Sequence, residues 1–323
     1  MRIAVLGASG FVGSAVCAAA RHAGHHVLEV PAPRLTTAAR GTDAVLAQAV
    51  RADDDATTLA ADLTEAEVVI NAAGLATPGA GMTDDLVGAN ALLPGVVKRA
   101  AARAGVERVV HVSSAAVHGE AKVLDPGADP RPTSPYGWSK LWGEQVASAA
   151  GLHQPPTPGA GHSDPGVAQP DHGAKQSDRG ARRADHGAPG PTVVTYRPTS
   201  VHGPGRGVTD QVRRLARSPL SCVAAPGDHP TPQVMVEQVA SHALHLASAT
   251  EVPTGPVIHP WEGWTTSSFL QHLGDGKRPR RIPRPLARAV LAVAKTAGRL
   301  HPRLGANARR LQMLWFGQRQ LPA

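Results

Sequence analysis

In the stretch SPYGWSK, Tyr136 and Lys140 stand four residues apart, a spacing that puts both side chains on one face of a helix. A free phenol has a pKa of about 10, and an ammonium beside it favours the phenolate, so the pair could move a proton near neutral pH. Alone it is a weak signal, because exposed helices bring Tyr and Lys together by chance. Ser113 and Ser114 strengthen it. They close the apolar run RVVHVSS, and open α/β sheets hold their ligands at the carboxyl ends of parallel strands. A hydroxyl placed there can hold a substrate carbonyl while the tyrosine moves its proton.

A second motif supplies what such a pair would work with. Gly7, Gly10 and Gly13 follow the β-run RIAVL and open an Ala-rich helical stretch. A dinucleotide pyrophosphate needs this kind of side-chain-free backbone at a helix N-terminus. The residues of the turn, Gly7, Ser9, Gly10, Phe11, Val12 and Gly13, are the candidate contacts. The spacing differs from G-x-G-x-x-G, and a tight structural turn would also use glycine. The next strand ends LEVPAPR, with Glu29 inside it and no acid at its tip. Arg34 is close enough to meet a 2′-phosphate, which favours NADP(H) over NAD(H) unless the side chain simply faces water.

Strands that alternate with helices must position these groups. RIAVL, HVLEV, VVINAAG, RVVHVSS and TVVTYRP read as strands, separated by helical sequence at residues 43–64, 84–104 and from Tyr136 onward. Pro94 stands where the second of these helices could kink or restart. This rhythm implies a parallel sheet with right-handed crossovers. Residues 234–248 read as a further helix and GPVIHP as a short strand. The fold class expected is α/β: a Rossmann-type, doubly wound parallel sheet with a smaller C-terminal substrate lobe. Residues 1–150 and 192–260 form the sheet domain, with 205–233 partly in the lobe, and residues 261–323 form the lobe itself. Residues 152–191, rich in Gly, Pro and His, cannot bury enough apolar surface to offset their ordering entropy and read as a disordered insertion. Four histidines there, His153, His162, His172 and His186, are loosely spaced and without cysteine, so no metal site is assigned.

The chain has 323 residues, 42% of them hydrophobic but only 3% aromatic, so the core must be built from Ala, Val and Leu. Cys17 and Cys222 cannot make a disulfide framework, which fits a reducing cytoplasm. The N-terminal sequence lacks the apolar stretch of a signal peptide, and no apolar run approaches a membrane span. Net charge is +8, yet residues 276–323 contain twelve Lys or Arg and no Asp or Glu. That segment could attract phosphates, anionic lipid or nucleic acid, or be a solvated basic face.

Taken together, GASGFVG, NAAG, HVSSAAVHG, SPYGWSK and RPTSVHGPG resemble the extended short-chain dehydrogenase/reductase family, its NAD-dependent epimerase/dehydratase group, over residues 1–150 and 192–260. The resemblance implies catalytic roles for Ser114, Tyr136, Lys140 and Asn90, with Lys140 also holding the nicotinamide ribose. It implies cofactor contacts at Ala72, Ala73, Gly74, Ser113 and Pro198, and a homodimer formed through two helices of the sheet domain. Ala115 and Ala116 stand where the dehydratases of the group carry an Asp-Glu pair, which argues against 4,6-dehydration. His118 and His202 replace tyrosines common in such sequences. An Asp-Leu strand that would contact adenine is hard to find: Asp62-Leu63 exists but reads as helix, so the sheet is expected to be shortened there.

The function expected is hydride transfer at a carbonyl or secondary alcohol by an NAD(P)-dependent oxidoreductase, with a nucleotide sugar as small-molecule substrate. An epimerase that retains NAD would use the same residues. A non-catalytic dinucleotide-binding scaffold with a polyanion-binding tail is the alternative from another class. An intact Ser-Tyr-Lys set counts against it, and nucleic acid is an unlikely partner on that ground.

Overall fold

The computed structural model describes residues 1–76, 81–149, 152, 190–300 and 302–321. The bulk of the insertion read at residues 152–191, with its four histidines, lies outside the described residues. The N-terminal half runs β1 (Arg2–Leu6), α1 (Phe11–His22), β2 (His26–Val30), α2 (Thr42–Arg51), α3 (Asp53–Asp62) and β3 (Val68–Asn71). It continues through α4 (Asp84–Val87), a π-helical turn (Gly88–Leu92), α5 (Leu93–Arg103), β4 (Arg108–Val112), a 3₁₀ turn (Ala115–His118), β5 (Val123–Leu124) and α6 (Pro135–Ser148). The helical sequence at residues 43–64 is thus two helices, broken at Ala52. The helix read at residues 84–104 is continuous, with its irregularity in the π turn just before Pro94.

The second half contains β6 (Thr192–Arg197), β7 (Ser200–His202), α7 (Gly207–Arg217), β8 (Cys222–Ala224), β9 (Gln233–Met235), α8 (Val236–Ser248) and β10 (Val257–Ile258). It closes with α9 (Thr266–Leu273), β11 (Arg280–Ile282), α10 (Arg284–Leu300), α11 (Pro302–Phe316) and β12 (Arg319–Gln320). The helix read from residue 234 starts two residues later, because Val234 and Met235 pair with β7.

Six strands form one parallel sheet in the order β10-β6-β4-β3-β1-β2. β2 is an edge, as the missing Asp-Leu strand led us to expect, with α2 and α3 filling the crossover to β3. Strand periodicity sends alternate residues to opposite faces. Ala4 and Leu6 pack with α2, α3 and α5 through Val45, Leu59 and Val97. Ile3 and Val5 pack with α1 and α8 through Val16, Val239 and Ala243. Both faces are therefore covered, which is why the strands read as continuous apolar runs. A smaller lobe packs Val212, Val223, Phe269, Leu273 and Leu314 around the β8–β11 pair. Among the described residues no helix is long and apolar enough to cross a membrane.

Candidate functional site

A cleft of about 1080 Å³ lies at the carboxyl ends of the central strands, with the lobe as its far wall. Its floor begins at the glycine turn. Gly7 has φ +78, a backbone that side chains disfavour, and a methyl added at Gly13 would overlap the Gly7 carbonyl. The chain therefore folds back tightly enough for α1 to start at the strand's end. α1 carries no side-chain cap and no acid in its first turn, so its first amides are free to face an anion. Gly10, Phe11 and Val12 line the cleft. Gly7 and Gly13 shape the turn from behind, Ser9 is exposed, and neither these three nor Ala73 is among the lining residues. Arg34 is exposed in the coil after β2, away from the lining.

The reactive candidates converge. Ser114 follows β4 and caps the 3₁₀ turn, its Oγ accepting from the Ala116 amide at 3.1 Å. Ser134 caps α6 by accepting from the Gly137 amide at 3.1 Å, with Pro135 at the first helical position. This start aims Tyr136 and Lys140 at the cleft, which Ser114, Tyr136, Lys140, Ala72, Gly74, Ser113 and Pro198 all line. Ser114 hydrogen-bonds the phenol. Lys140 is buried, and its Nζ donates to the Val112 carbonyl at 3.2 Å. Burial pulls its pKa down to about 8, against the charge of Glu144.

The electrostatics of Tyr136 differ from those its spacing to Lys140 suggests. Burial raises the pKa of Tyr136, and the groups that oppose this rise are the Ser114 hydrogen bond and the guanidinium of Arg206, not the ammonium of Lys140. Lys140 itself sits deep in the protein, against Val112.

Asn90 stands outside the cleft and braces it. From the π turn, its Oδ1 accepts from the Leu75 amide at 2.9 Å. Its Nδ2 donates to the Leu75 carbonyl at 3.0 Å and to Ser139 Oγ at 3.1 Å. A methyl at Gly74 would come within 2.7 Å of Asn90 Oδ1 and 3.1 Å of Lys140 Nζ, so glycine lets this loop pass over both. π turns recur at functional sites because they re-aim one residue of a helix.

Sequence reasoning missed the far wall. Arg206 donates to the Val201 carbonyl at 2.7 Å, and its guanidinium carbon lies 5.0 Å from the centre of the Phe11 ring. Arg309 donates to the Gly119 carbonyl, and Arg310 lines the cleft beside it. Burial lowers the pKa of all three, though an arginine stays charged in a protein. Among the described residues Glu120 is the one carboxylate in the lining. The signal available was the acid-free run from residue 276, which marks a basic lobe but not which arginines turn inward. Among the described residues no group of three or more His, Cys, Asp or Glu could hold a metal ion.

Residues 3–154 match the sequence profile of the NAD dependent epimerase/dehydratase family. Over that stretch, a little under half of its length, the chain is similar to that family. Comparison with curated proteins gave no match. Among solved structures, the chain is similar to MoeE5 in complex with UDP-glucose and NAD at 25% identity, TM-score 0.53, covering 88% of this chain and 85% of the other. UDP-glucuronic acid 4-epimerase from Bacillus cereus with NAD aligns over 98% of both chains, at 19% identity and TM-score 0.55. A dTDP-4-dehydrorhamnose reductase from Bacillus anthracis with NADP aligns over 87% of this chain and 83% of its own, at 14% identity and TM-score 0.56. At such identities the last two speak for the fold. They show an epimerase and a reductase sharing the Rossmann-type sheet found in this chain.

Proposed function

We propose that the cleft binds NAD(H) or NADP(H) along the glycine turn and catalyses hydride transfer at a carbonyl or secondary-alcohol carbon of a nucleotide-activated sugar. The observation that carries this is the meeting, in one cleft, of Ser114, Tyr136 and Lys140 with an uncapped helix N-terminus on one side and three arginines on the other. The fit to a dinucleotide is structural: glycines bring the backbone close where a diphosphate must approach, and α1 begins there with no side-chain cap. Bound nicotinamide would supply or accept the hydride. In reduction, Tyr136 gives its proton to the forming alkoxide while the Ser114 hydroxyl holds that oxygen. In oxidation Tyr136 takes the proton back. The Ser114 hydrogen bond and Arg206 favour the charged form of the phenol and oppose the effect of its burial. Arg206, Arg309 and Arg310 suit the diphosphate of the substrate, since guanidinium forks match phosphate oxygens.

Ala115 and Ala116 line the cleft beside Ser114 and bring no acid to it, so elimination of water has no catalyst on that side. An epimerase that keeps its NAD is the second reading, since oxidising and re-reducing one carbon would use the same Ser114, Tyr136 and Lys140. Arg34 remains our proposed contact for a 2′-phosphate. We further propose a cytoplasmic protein, which two unpaired cysteines suit, and a homodimer. The test is Tyr136→Phe, assayed by protein fluorescence for cofactor binding and by nicotinamide absorbance with a panel of nucleotide sugars. Retained binding with lost turnover is expected; undiminished turnover would remove Tyr136 from the chemistry.

A further inference from the structure

Beneath the cleft lies a buried ion pair that the proton transfer itself does not use. Tyr136, Lys140 and Glu144 recur every four residues along one face of α6, each deeper than the last. The Glu144 carboxylate accepts from Arg197 Nη2 at 2.6 Å and from Arg197 Nε at 3.0 and 3.3 Å. Both side chains are nearly inaccessible, at 3% for Arg197 and 5% for Glu144. The pair reaches two further groups. Ser113 Oγ donates to Glu144 Oε1, and Arg197 Nη1 lies 3.1 Å from His118 Nε2. An arginine can only donate, so Nε2 accepts and the His118 proton sits on Nδ1.

The positions of these partners give the pair its meaning. Ser113 and His118 lie on either side of Ser114, at the two ends of the segment that carries its hydroxyl. Arg197 ends β6 and is followed by Pro198, whose carbonyl accepts from the Ala115 amide at 2.9 Å. Glu144 is on the helix that carries Tyr136 and Lys140. One buried salt bridge therefore ties the two elements that bear the reacting groups, the Ser114 segment and α6, to the end of β6. Burying two charges is costly, and apolar residues of similar size would often fill the space at no loss of stability. Stability is thus a poor reason for the pair to be there, whereas fixed geometry is a good one.

We propose that Glu144 and Arg197 are positioning residues that hold the Ser114 hydroxyl in line with Tyr136 and Lys140, an inference that rests on reading Tyr136 as the acid and base. The decisive variant is the double substitution Glu144→Leu with Arg197→Met, which removes both charges together and so leaves neither unpaired. The chain has only two tyrosines, and Tyr196 is buried with its hydroxyl 2.5 Å from His259 Nδ1. An NMR spectrum of protein labelled at tyrosine Cζ therefore shows two resonances, and Tyr136→Phe assigns them. This reports on the Ser114 hydrogen bond at neutral pH without any substrate.

The double variant should unfold cooperatively near the wild-type temperature, with its Tyr136 resonance shifted to where Ser114→Ala places it. Its kcat should fall by about a hundredfold, the scale of a small misplacement of reacting groups, with KM and cofactor affinity changed by no more than about threefold. A folded double variant with an unmoved Tyr136 resonance, or with wild-type kcat, would overturn the proposal. Should the double variant not fold, Arg197→Lys keeps the charge but loses the two-pronged contact. It should give an intermediate resonance shift, and an unshifted one would be equally decisive. If the wild-type protein turns over no nucleotide sugar, the functional reading falls, while the resonance still decides whether the pair holds Ser114.

Discussion

One wall of the cleft comes from residues 112–140 and carries Ser114, Tyr136 and Lys140; the other comes from residues 198–208 and 309–318 and carries Arg206, Arg309 and Arg310. The first wall stands on the sheet and on α6, where neighbours in sequence are neighbours in space. The second is assembled from a loop and a helix about a hundred residues apart. Bond making needs groups fixed to a fraction of an ångström, and strand ends and helix turns supply that. Recognition of a diphosphate tolerates more latitude, and a lobe built on long connections suffices. The reactive wall thus contributes one cation, its lysine held at about pKa 8 by burial, and the recognition wall contributes three.

If the walls divide the labour in this way, substitutions should separate rate from affinity. Tyr136→Phe should lower kcat by about a thousandfold, within the range for a lost general acid, and leave KM within about threefold. Steady-state kinetics check this, and an equal rise in KM would dissolve the distinction. On the opposite wall, Arg310→Ala should raise KM about thirtyfold, the cost of roughly 2 kcal/mol for a lost charged hydrogen bond, with kcat little changed.

The pH profile sharpens the same contrast. Lys140 is charged below about pH 8 and neutral above it, so kcat/KM should fall as pH rises through that value. Lys140→Arg should remove this limb from the profile even if it lowers the plateau. The smallest effect concerns stability. Burial holds His118 and His202 neutral, with pKa lowered from 6.5 to about 4. The unfolded chain therefore binds protons first, and stability falls as pH drops through 6.5 towards 4. Between pH 7 and pH 6 each should remove about 0.7 kcal/mol, seen as a fall of a few degrees in the unfolding midpoint.

The residues that meet on the first wall can be picked out in the sequence and those of the second cannot, for a physical reason. The strand, glycine turn and helix of residues 2–30, the serine that ends β4 and the Tyr-Lys spacing are local patterns with fixed geometric meaning. The shortened sheet was legible because Asp62-Leu63 stands in helical sequence, too close to Val68 to form a strand of its own. Arg206 and Arg310 carry no local mark that separates an inward arginine from a solvated one. The pairing of β7 with β9 and of β8 with β11 likewise depends on segments meeting across the fold, so residues 234 and 235 read as helix. Glu144 was visible as one more turn of the Tyr-Lys face, yet its meaning rests on Arg197, more than fifty residues away. The electrostatics of Tyr136 were misjudged because spacing shows which groups share a face but not how deep each one lies.

The π turn has a consequence for how this chain can vary. A methyl placed at Gly143 would run into the Asn90 carbonyl, and one at Gly88 into the carbonyl of Leu35. Main chain rests directly on main chain at both points, with no side chain between to absorb a change by rotating. A heavier residue at Gly143 must shove the asparagine, and with it the loop that Asn90 grips over Lys140, while one at Gly88 must shove the backbone of Leu35 and Thr36. Drift at these two sites is therefore barred by contacts that no partner residue can relieve, although neither glycine touches the cleft.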